Sequence, residues 1–171
     1  MAKVLMIIAQ EGFRDEEYQI PRETIEKAGH SVKVASITRS KATGKFGAVV
    51  QPDLAVHEAN PEYFDAIVVV GGPGAKALAD NAEVINLLEK ANLKGKKICA
   101  ICVAPMILAK AGVLSGKNAT VFPDREAVAE LRAGGALYRE QNVVTDGNVV
   151  TAKGPEAAEE FGREVVKLLV E

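Results

Sequence analysis

The residues best suited to chemistry lie where one apolar run stops, at Cys102, and where Val103, Ala104 and Pro105 follow. Proline is favoured in the first turn of a helix, because its missing N–H is not needed there. The pattern therefore predicts a strand that ends in a sharp turn at Cys102, just before a helix. The start of a helix has partial positive charge and free N–H groups, which favour a thiolate. A free cysteine is also commonly a small core residue, so position alone leaves both interpretations open.

A glycine pair follows a second apolar run. Residues 66–70 lead directly into Gly71 and Gly72. Glycine allows close approach of the backbone and leaves N–H groups free to hold an oxyanion. A tight turn that simply needs glycine is the alternative. A phosphate-binding loop is less well supported, because the segment lacks the spacing of both phosphate-loop motifs.

Three acidic residues open the helix predicted after the first apolar run. Asp15 and Glu16 are interpreted as side chains that stabilise the helix dipole. A carboxyl group aimed inward at the strand end would instead lie beside the Cys102 sulfur. Burial and a nearby anion would raise the pKa of that carboxyl, and the neutral form would donate a hydrogen bond. Glu17 is the best candidate, although position alone does not single it out.

A cysteine–histidine dyad of the kind used in proteolysis is not predicted. The chain has two histidines. His30 is expected at the opposite end of the second strand from the site, and His57 in an excursion at the sheet edge. The residue after the cysteine is Val103. The sequence therefore argues against a self-contained peptidase site at Cys102.

The second cysteine is predicted to be a core residue. Cys99 and Cys102 form a C-x-x-C pattern, but Cys99 would lie inside a strand. Three extended residues span roughly 10 Å, beyond the roughly 7 Å limit between the Cα atoms of a disulfide. A redox role for Cys99 is the open alternative. Two cysteines and two scattered histidines give no metal site.

The elements that must position these residues alternate between strands and helices. This alternation predicts a single α/β domain over residues 1–171, with a doubly wound, mainly parallel sheet and helices on both faces. Ligands bind such sheets at the carboxyl ends of the strands, so the three strand ends described above should converge. Strands are predicted at 4–9, 31–37, 66–70, 98–101 and 119–122, a loop at 10–13, a hairpin-like edge excursion at 43–56, a hairpin around Asp146-Gly147, and helices at about 15–28, 75–92, 105–111, 124–131 and 154–171.

Composition excludes several classes of function. Lys and Arg number 21 against 23 Asp and Glu, which argues against a nucleic-acid partner and a polybasic membrane patch. No apolar run approaches the roughly 18 residues of a membrane span, and the N-terminus lacks the features of a signal peptide. Two cysteines without a disulfide framework fit a reducing compartment. The sequence predicts a cytoplasmic protein that binds neither nucleic acid nor membrane.

The chain resembles the ThiJ/PfpI superfamily from end to end, and especially its parkinsonism-associated deglycase branch. The matching segments are EYQIP at 17–21, VGGPG at 70–74, AICVAP at 100–105 and KGP at 153–155. Several ordered motifs at family-like intervals make this signal specific, whereas any one alone is weak.

The resemblance implies a flavodoxin-like fold in which Cys102 is the cysteine of a nucleophile elbow. It implies that Glu17 is protonated and donates a hydrogen bond to the reactive sulfur. The N–H groups of Gly72 and Val103 would form the oxyanion hole. Family members are usually homodimers or larger, and their cysteine oxidises readily to sulfinate.

Three positions depart from the family pattern. Val103 stands where the protease-like branch has histidine, which argues against peptidase activity. Phe122 precedes Pro123 where the deglycase branch often has histidine, which argues against efficient carbonyl chemistry. Arg14 stands where many protease-like members carry an acidic residue.

Residues and resemblance together predict a cofactor-free, cysteine-dependent enzyme of the glyoxalase or protein-deglycase type, linked to stress protection. Its substrate would be a small aldehyde such as methylglyoxal, or a glycated protein. Cys102 would add to the aldehyde, the amides would hold the oxyanion, and Glu17 would shuttle protons. The main alternative is a redox-sensing stress protein whose exposed, low-pKa Cys102 oxidises to sulfinate. An intracellular cysteine peptidase and a scaffold with an inert cysteine are further alternatives.

Overall fold

Strands and helices alternate along the whole chain in a computed structural model that describes residues 1–171. The strands are β1 Lys3–Ile7, β2 Glu11–Phe13, β3 Ser31–Ser36, β4 Ala42–Gly44, β5 Val49–Val50, β6 Leu54–Ala55, β7 Ala66–Val69, β8 Lys97–Ile101, β9 Asn118–Ala119, β10 Leu137–Tyr138, β11 Val143–Asp146 and β12 Val149–Ala152. The helices are α1 Asp15–Lys27, α2 Ala75–Ala79, α3 Ala82–Leu93, α4 Pro105–Lys110, α5 Arg125–Ala133 and α6 Ala158–Leu169, with 3-10 turns at Val56–Glu58, Pro61–Tyr63 and Pro155–Ala157.

A seven-stranded sheet forms the centre, in the order β11-β12-β8-β7-β1-β3-β6. Every neighbouring pair is parallel except the β11–β12 hairpin. After β1 the chain builds outward through β3 and β6, and then returns to β7 on the other side of β1. The crevice between β1 and β7 is therefore the switch point where such sheets bind ligands. The predicted doubly wound, mainly parallel sheet is confirmed.

Burial explains why these runs become central strands. All four residues of β7 are buried, as are the last four of both β1 and β8, because helices cover the sheet. Helices α1 and α6 pack against each other, while α2, α3 and α4 form a second group in mutual contact. Glu17 in α1 and Cys102 directly after β8 are thus carried by elements that pack into the buried core.

At the sheet periphery one local prediction was wrong and a second was confirmed only in part. The loop predicted at 10–13 contains β2, which pairs with β4 in a separate three-stranded sheet. The excursion predicted at 43–56 does contain an antiparallel β4–β5 hairpin, but this hairpin belongs to that small sheet and only β6 joins the edge of the main one. Alternation alone could not tell which sheet would accept these short strands.

Two further elements differ in length. The helix predicted over 75–92 is broken, since the Asn81 side chain accepts a hydrogen bond from the Val84 N–H and starts α3 anew. The strand predicted at 119–122 stops after β9, because the Phe122 N–H donates to the Cys102 carbonyl at 2.7 Å and leaves the ladder. This departure brings Phe122 to the end of β8.

Candidate active site

Cys102 occupies a sharp turn at the end of β8. Its N–H donates to the Ala152 carbonyl at 2.9 Å, which extends the pairing with β12 by one residue. Its φ is +66°, and it is the one non-glycine residue of the chain with positive φ. A residue with a Cβ adopts this left-handed conformation only when its surroundings impose it, and such residues cluster at functional sites. Helix α4 begins three residues later at Pro105, as the sequence predicted.

The Cys102 side chain is buried rather than exposed. It is 8% exposed, although it reaches the wall of an open cleft. The expectation of an exposed thiol was therefore wrong, because the strands and the turns that follow them enclose most of the side chain.

Glu17 lies in the first turn of α1 and is completely buried. Neither of its carboxyl oxygens has a hydrogen-bond partner. Burial raises the pKa of Glu17 to about 7, while the Cys102 sulfur and the Arg14 guanidinium work in the opposite direction. A buried carboxyl without partners is a strong candidate for a proton donor, since its neutral form is favoured near neutral pH.

Gly71 brings Glu17 and Cys102 together. A Cβ at Gly71 would stand 2.5 Å from the Ile101 carbonyl oxygen, 2.6 Å from the Cys102 Cβ and 2.7 Å from Glu17 Oε1. No side chain fits there, so the end of β7 must carry glycine for the cysteine and the carboxyl to share this space. The sequence had singled out the glycine pair for its N–H groups, and this steric role was missed.

Two backbone amides act on the sulfur. Burial and the Glu17 carboxylate raise the pKa of Cys102 to about 12, whereas the N–H groups of Gly72 and Val103 lower it. Gly72 has a φ of +108°, and a Cβ there would lie 2.4 Å from the backbone nitrogen of Arg14. The four residues predicted to form the site are thus neighbours at the carboxyl ends of β7 and β8 and the start of α1.

Backbone hydrogen bonds fix the loop that carries Glu17. The Arg14 N–H donates to the Gly71 carbonyl at 3.0 Å, and the Gly74 N–H donates to the Gly12 carbonyl at 2.9 Å. These bonds tie the segment between β1 and α1 to the turn after β7. The position of the carboxyl therefore depends on main-chain geometry rather than on its own side-chain contacts.

A cleft of about 400 Å³ opens above the cysteine. No histidine lines it. His30 accepts a hydrogen bond from the Ala2 N–H at the opposite end of the sheet, and His57 lines a separate cleft beside α3. The lining residues are Arg14, Lys45, Gly72, Pro73, Lys76, Cys102, Val103, Phe122, Pro155 and Glu156.

Asp15 does more than stabilise the helix dipole. It is buried, and its two carboxylate oxygens accept hydrogen bonds from the Phe46 and Ala48 N–H groups, each at 2.9 Å. The carboxylate thereby anchors the β4–β5 hairpin, whose Lys45 forms part of the cleft wall. No local pattern in the sequence links residue 15 to residue 46, so this role could not be predicted.

Cys99 is buried like Cys102 but has regular strand geometry instead of a sharp turn. It lies inside β8, paired with Val68 and Val150, and burial raises the pKa of its thiol to about 12. Both cysteines are free thiols. The chain contains no group of three or more His, Cys, Asp or Glu side chains arranged to hold a metal ion. Every helix is too short or too polar to span a bilayer.

Comparison with known proteins agrees with this architecture. A protein of Methanocaldococcus jannaschii is 44% identical over 169 residues, covering 98% of this chain and 82% of the relative. A deglycase of Thermococcus kodakarensis is 37% identical over 166 residues, covering 96% of this chain and 98% of the relative. The crystal structure of a ThiJ/PfpI domain protein from Brachyspira murdochii superposes with a TM-score of 0.94 at 33% identity, covering 98% of this chain and 96% of that one. A model described as the DJ-1/PfpI family matches residues 2–168, and the chain belongs to that family.

Proposed function

We propose that this protein is a cofactor-free, cysteine-dependent enzyme of the glyoxalase or protein-deglycase type that acts on 2-oxoaldehydes such as methylglyoxal in stress protection. One observation carries the proposal. Cys102 is held in a left-handed turn beside a fully buried Glu17 carboxyl without partners, at the wall of an open cleft. The deglycase name of the Thermococcus kodakarensis relative supports the same class of function.

The first step requires a proton on Glu17 and a negative charge on Cys102. The pKa of Glu17 is raised to about 7 and that of Cys102 to about 12, so the carboxyl is the stronger acid of the pair. The proposed step therefore needs the remaining proton to pass from sulfur to Glu17, which leaves the single negative charge of the pair on Cys102. The N–H groups of Gly72 and Val103 favour that charge on sulfur. With Glu17 protonated, its repulsion of the thiolate disappears, and its O–H becomes the natural donor to the sulfur.

The chemistry then balances without a redox partner. The Cys102 thiolate adds to the aldehyde carbon, and the former carbonyl oxygen takes the proton from Glu17 to give a hemithioacetal. The Glu17 carboxylate removes the proton on that carbon and returns it to the adjacent carbonyl carbon through an enediol, leaving a lactoyl thioester. Water hydrolyses the thioester to lactate, restores the thiolate and the protonated carboxyl, and releases one proton to solvent.

The proposal is tested by following methylglyoxal consumption and lactate formation. Cys102→Ser and Glu17→Gln are each expected to abolish turnover, while Cys99→Ser serves as a matched control at a buried cysteine that faces no cleft. Wild-type rates in both site variants would contradict the assignment.

A redox-sensing role is the second candidate, because the Glu17 carboxyl that faces the thiolate would also donate a hydrogen bond to a sulfinate oxygen. Each of two peroxide molecules would transfer one oxygen to the sulfur and leave as water. Mass spectrometry after mild peroxide treatment should then find two added oxygens on Cys102 and none on Cys99. An unmodified Cys102 peptide would exclude this role. Peptidase activity is less well supported, since no histidine lines the cleft.

A further inference from the structure

Four charged side chains line the cleft. Three basic side chains line it, Arg14, Lys45 and Lys76, against a single acidic one, Glu156. Methylglyoxal is neutral and gives no reason for such a lining. The question is which of these cations is free to bind a ligand.

Two of the three cations already have carboxylate partners. The Arg14 guanidinium is paired with Glu16 at 3.0 Å. The Lys76 ammonium is 2.9 Å from the Glu126 carboxylate and 3.7 Å from that of Asp124. These pairs neutralise most of the charge that Arg14 and Lys76 would otherwise offer to a ligand.

Lys45 has no carboxylate partner. Its ammonium stands 5.4 Å from the centre of the Phe46 ring, a neutral neighbour. Its backbone is nevertheless firmly held, because its N–H donates to the Phe13 carbonyl at 2.8 Å and Asp15 anchors the next residues of the hairpin. A free ammonium on an anchored hairpin is well suited to bind an anion at the mouth of the cleft.

We infer that the cleft selects 2-oxoaldehydes that carry a carboxylate, and that Lys45 is the residue that binds this carboxylate while the carbonyl reaches Cys102. The inference rests on the proposed function and names its substrate class. A cleft of about 400 Å³ has room for a chain longer than that of methylglyoxal. 4,5-Dioxovalerate has the required groups, with an aldehyde and a ketone at one end and a carboxylate at the other.

The reaction balances as it does for methylglyoxal. Thiolate addition and proton transfer between the two carbonyl carbons give a thioester, and one water molecule releases 2-hydroxyglutarate. No oxidant or reductant is consumed. Lys45 remains charged throughout and exchanges no proton, so it is a specificity-determining residue rather than a proton carrier.

The first test compares 4,5-dioxovalerate with its neutral methyl ester. The wild-type protein should favour the acid by about fivefold to tenfold in kcat/KM, and Lys45→Met should bring the ratio of the two kcat/KM values close to one. Lys45→Arg should keep most of the preference. Lys27→Met, at the far end of α1, is the matched control. An equal preference in wild type and Lys45→Met would overturn the inference.

A second test does not depend on turnover. Iodoacetate and iodoacetamide alkylate the same sulfur, but only iodoacetate is an anion. The ratio of their rates at Cys102 should fall several-fold in Lys45→Met and should stay unchanged in Lys27→Met. If neither aldehyde is consumed and the ratio still falls, the proposed function fails but anion selection by Lys45 stands. An unchanged ratio in Lys45→Met contradicts anion selection whatever the enzymatic activity.

Discussion

Cys99 lies inside β8 and Cys102 lies in the turn directly after it, three residues further along the chain, yet their surroundings differ. Both are buried, and burial raises the pKa of both thiols to about 12. Cys99 has regular strand geometry between Val68 and Val150. Cys102 has a φ of +66°, two amides near its sulfur and a carboxyl beside it.

The comparison shows that burial and residue type do not by themselves make a cysteine reactive. Cys99 has no group with which it can exchange a proton, so ionising it places an isolated charge in the core. In the proposed mechanism Cys102 shares protons with Glu17, so the pair can place one negative charge on sulfur without adding charge to the interior. On this proposal an inert cysteine lies within β8 and a reactive one directly after it.

The largest expected effect separates the two cysteines by function. Cys102→Ala should lower the rate of lactate formation by about a thousandfold or more, since the nucleophile is lost. Cys99→Ala should keep the activity and lose about 1 kcal/mol of stability to a small cavity. Steady-state kinetics and thermal unfolding of both variants measure these outcomes. Equal losses of activity would show that the two thiols are not functionally distinct.

Gly71→Ala should damage the site through sterics alone. Its Cβ would overlap the space shared by Glu17 and Cys102, so we expect about a hundredfold loss of activity and about 1–3 kcal/mol of destabilisation. Gly29→Ala is the matched control, because it imposes strain at a φ of +93° but meets no atom within 4 Å. The control should lose stability and keep activity. Full activity in Gly71→Ala would mean that the two side chains need not be so close.

Glu17 should make stability depend on pH in a defined direction. The folded protein raises the pKa of Glu17 from 4.5 to about 7, so it binds more protons there than the unfolded chain does. The stabilisation from this extra bound proton is complete below pH 4.5 and is lost as the pH rises through 7, whichever group of the pair releases the proton. When the pH is raised from 4 to 8, the free energy of unfolding of Glu17→Gln should increase by about 3 kcal/mol relative to that of the wild type. Urea unfolding at both pH values measures this gain, and parallel changes in the two proteins would contradict it.

The smallest expected effect lies at the cleft wall. Asp15→Asn keeps the shape of the side chain but replaces one of its two acceptor oxygens by a donor. The hairpin that carries Lys45 should loosen. We expect the KM for the 2-oxoaldehyde substrate to rise several-fold with little change in kcat, and the free energy of unfolding to fall by about 1 kcal/mol. Glu23→Gln, exposed on α1, is the control. A change confined to kcat would contradict the positioning role.

The sequence was sufficient for the parts of the molecule that local pattern determines. The apolar runs predicted the central strands, and the cysteine before Ala104-Pro105 predicted the sharp turn at Cys102. Family resemblance and the inward-facing position together selected Glu17. The predictions of the strands and the turn were confirmed because burial on both faces and turn chemistry leave direct marks on the residues involved, whereas the role of Glu17 stays a prediction.

The remaining features depend on contacts between distant segments. The Asp15 bonds to the hairpin, the Gly71 steric requirement and the position of Lys45 at the cleft involve residues far apart in the sequence. The sequence also left open whether Cys102 is buried, since enclosure by several strand ends is a property of the assembled sheet. The periodicity of apolar residues along the sequence carries no information about contacts between distant segments.

The most direct test of the central claim is the pH dependence of Cys102 alkylation by iodoacetamide in wild type and in Glu17→Gln. If the pair shares its protons as proposed, the wild-type rate rises through about pH 7 and then levels off. The variant should react at least about tenfold more slowly at pH 7.5, and its rate should rise only in alkaline solution. Superimposable profiles for the two proteins would contradict the claim that Glu17 makes Cys102 reactive.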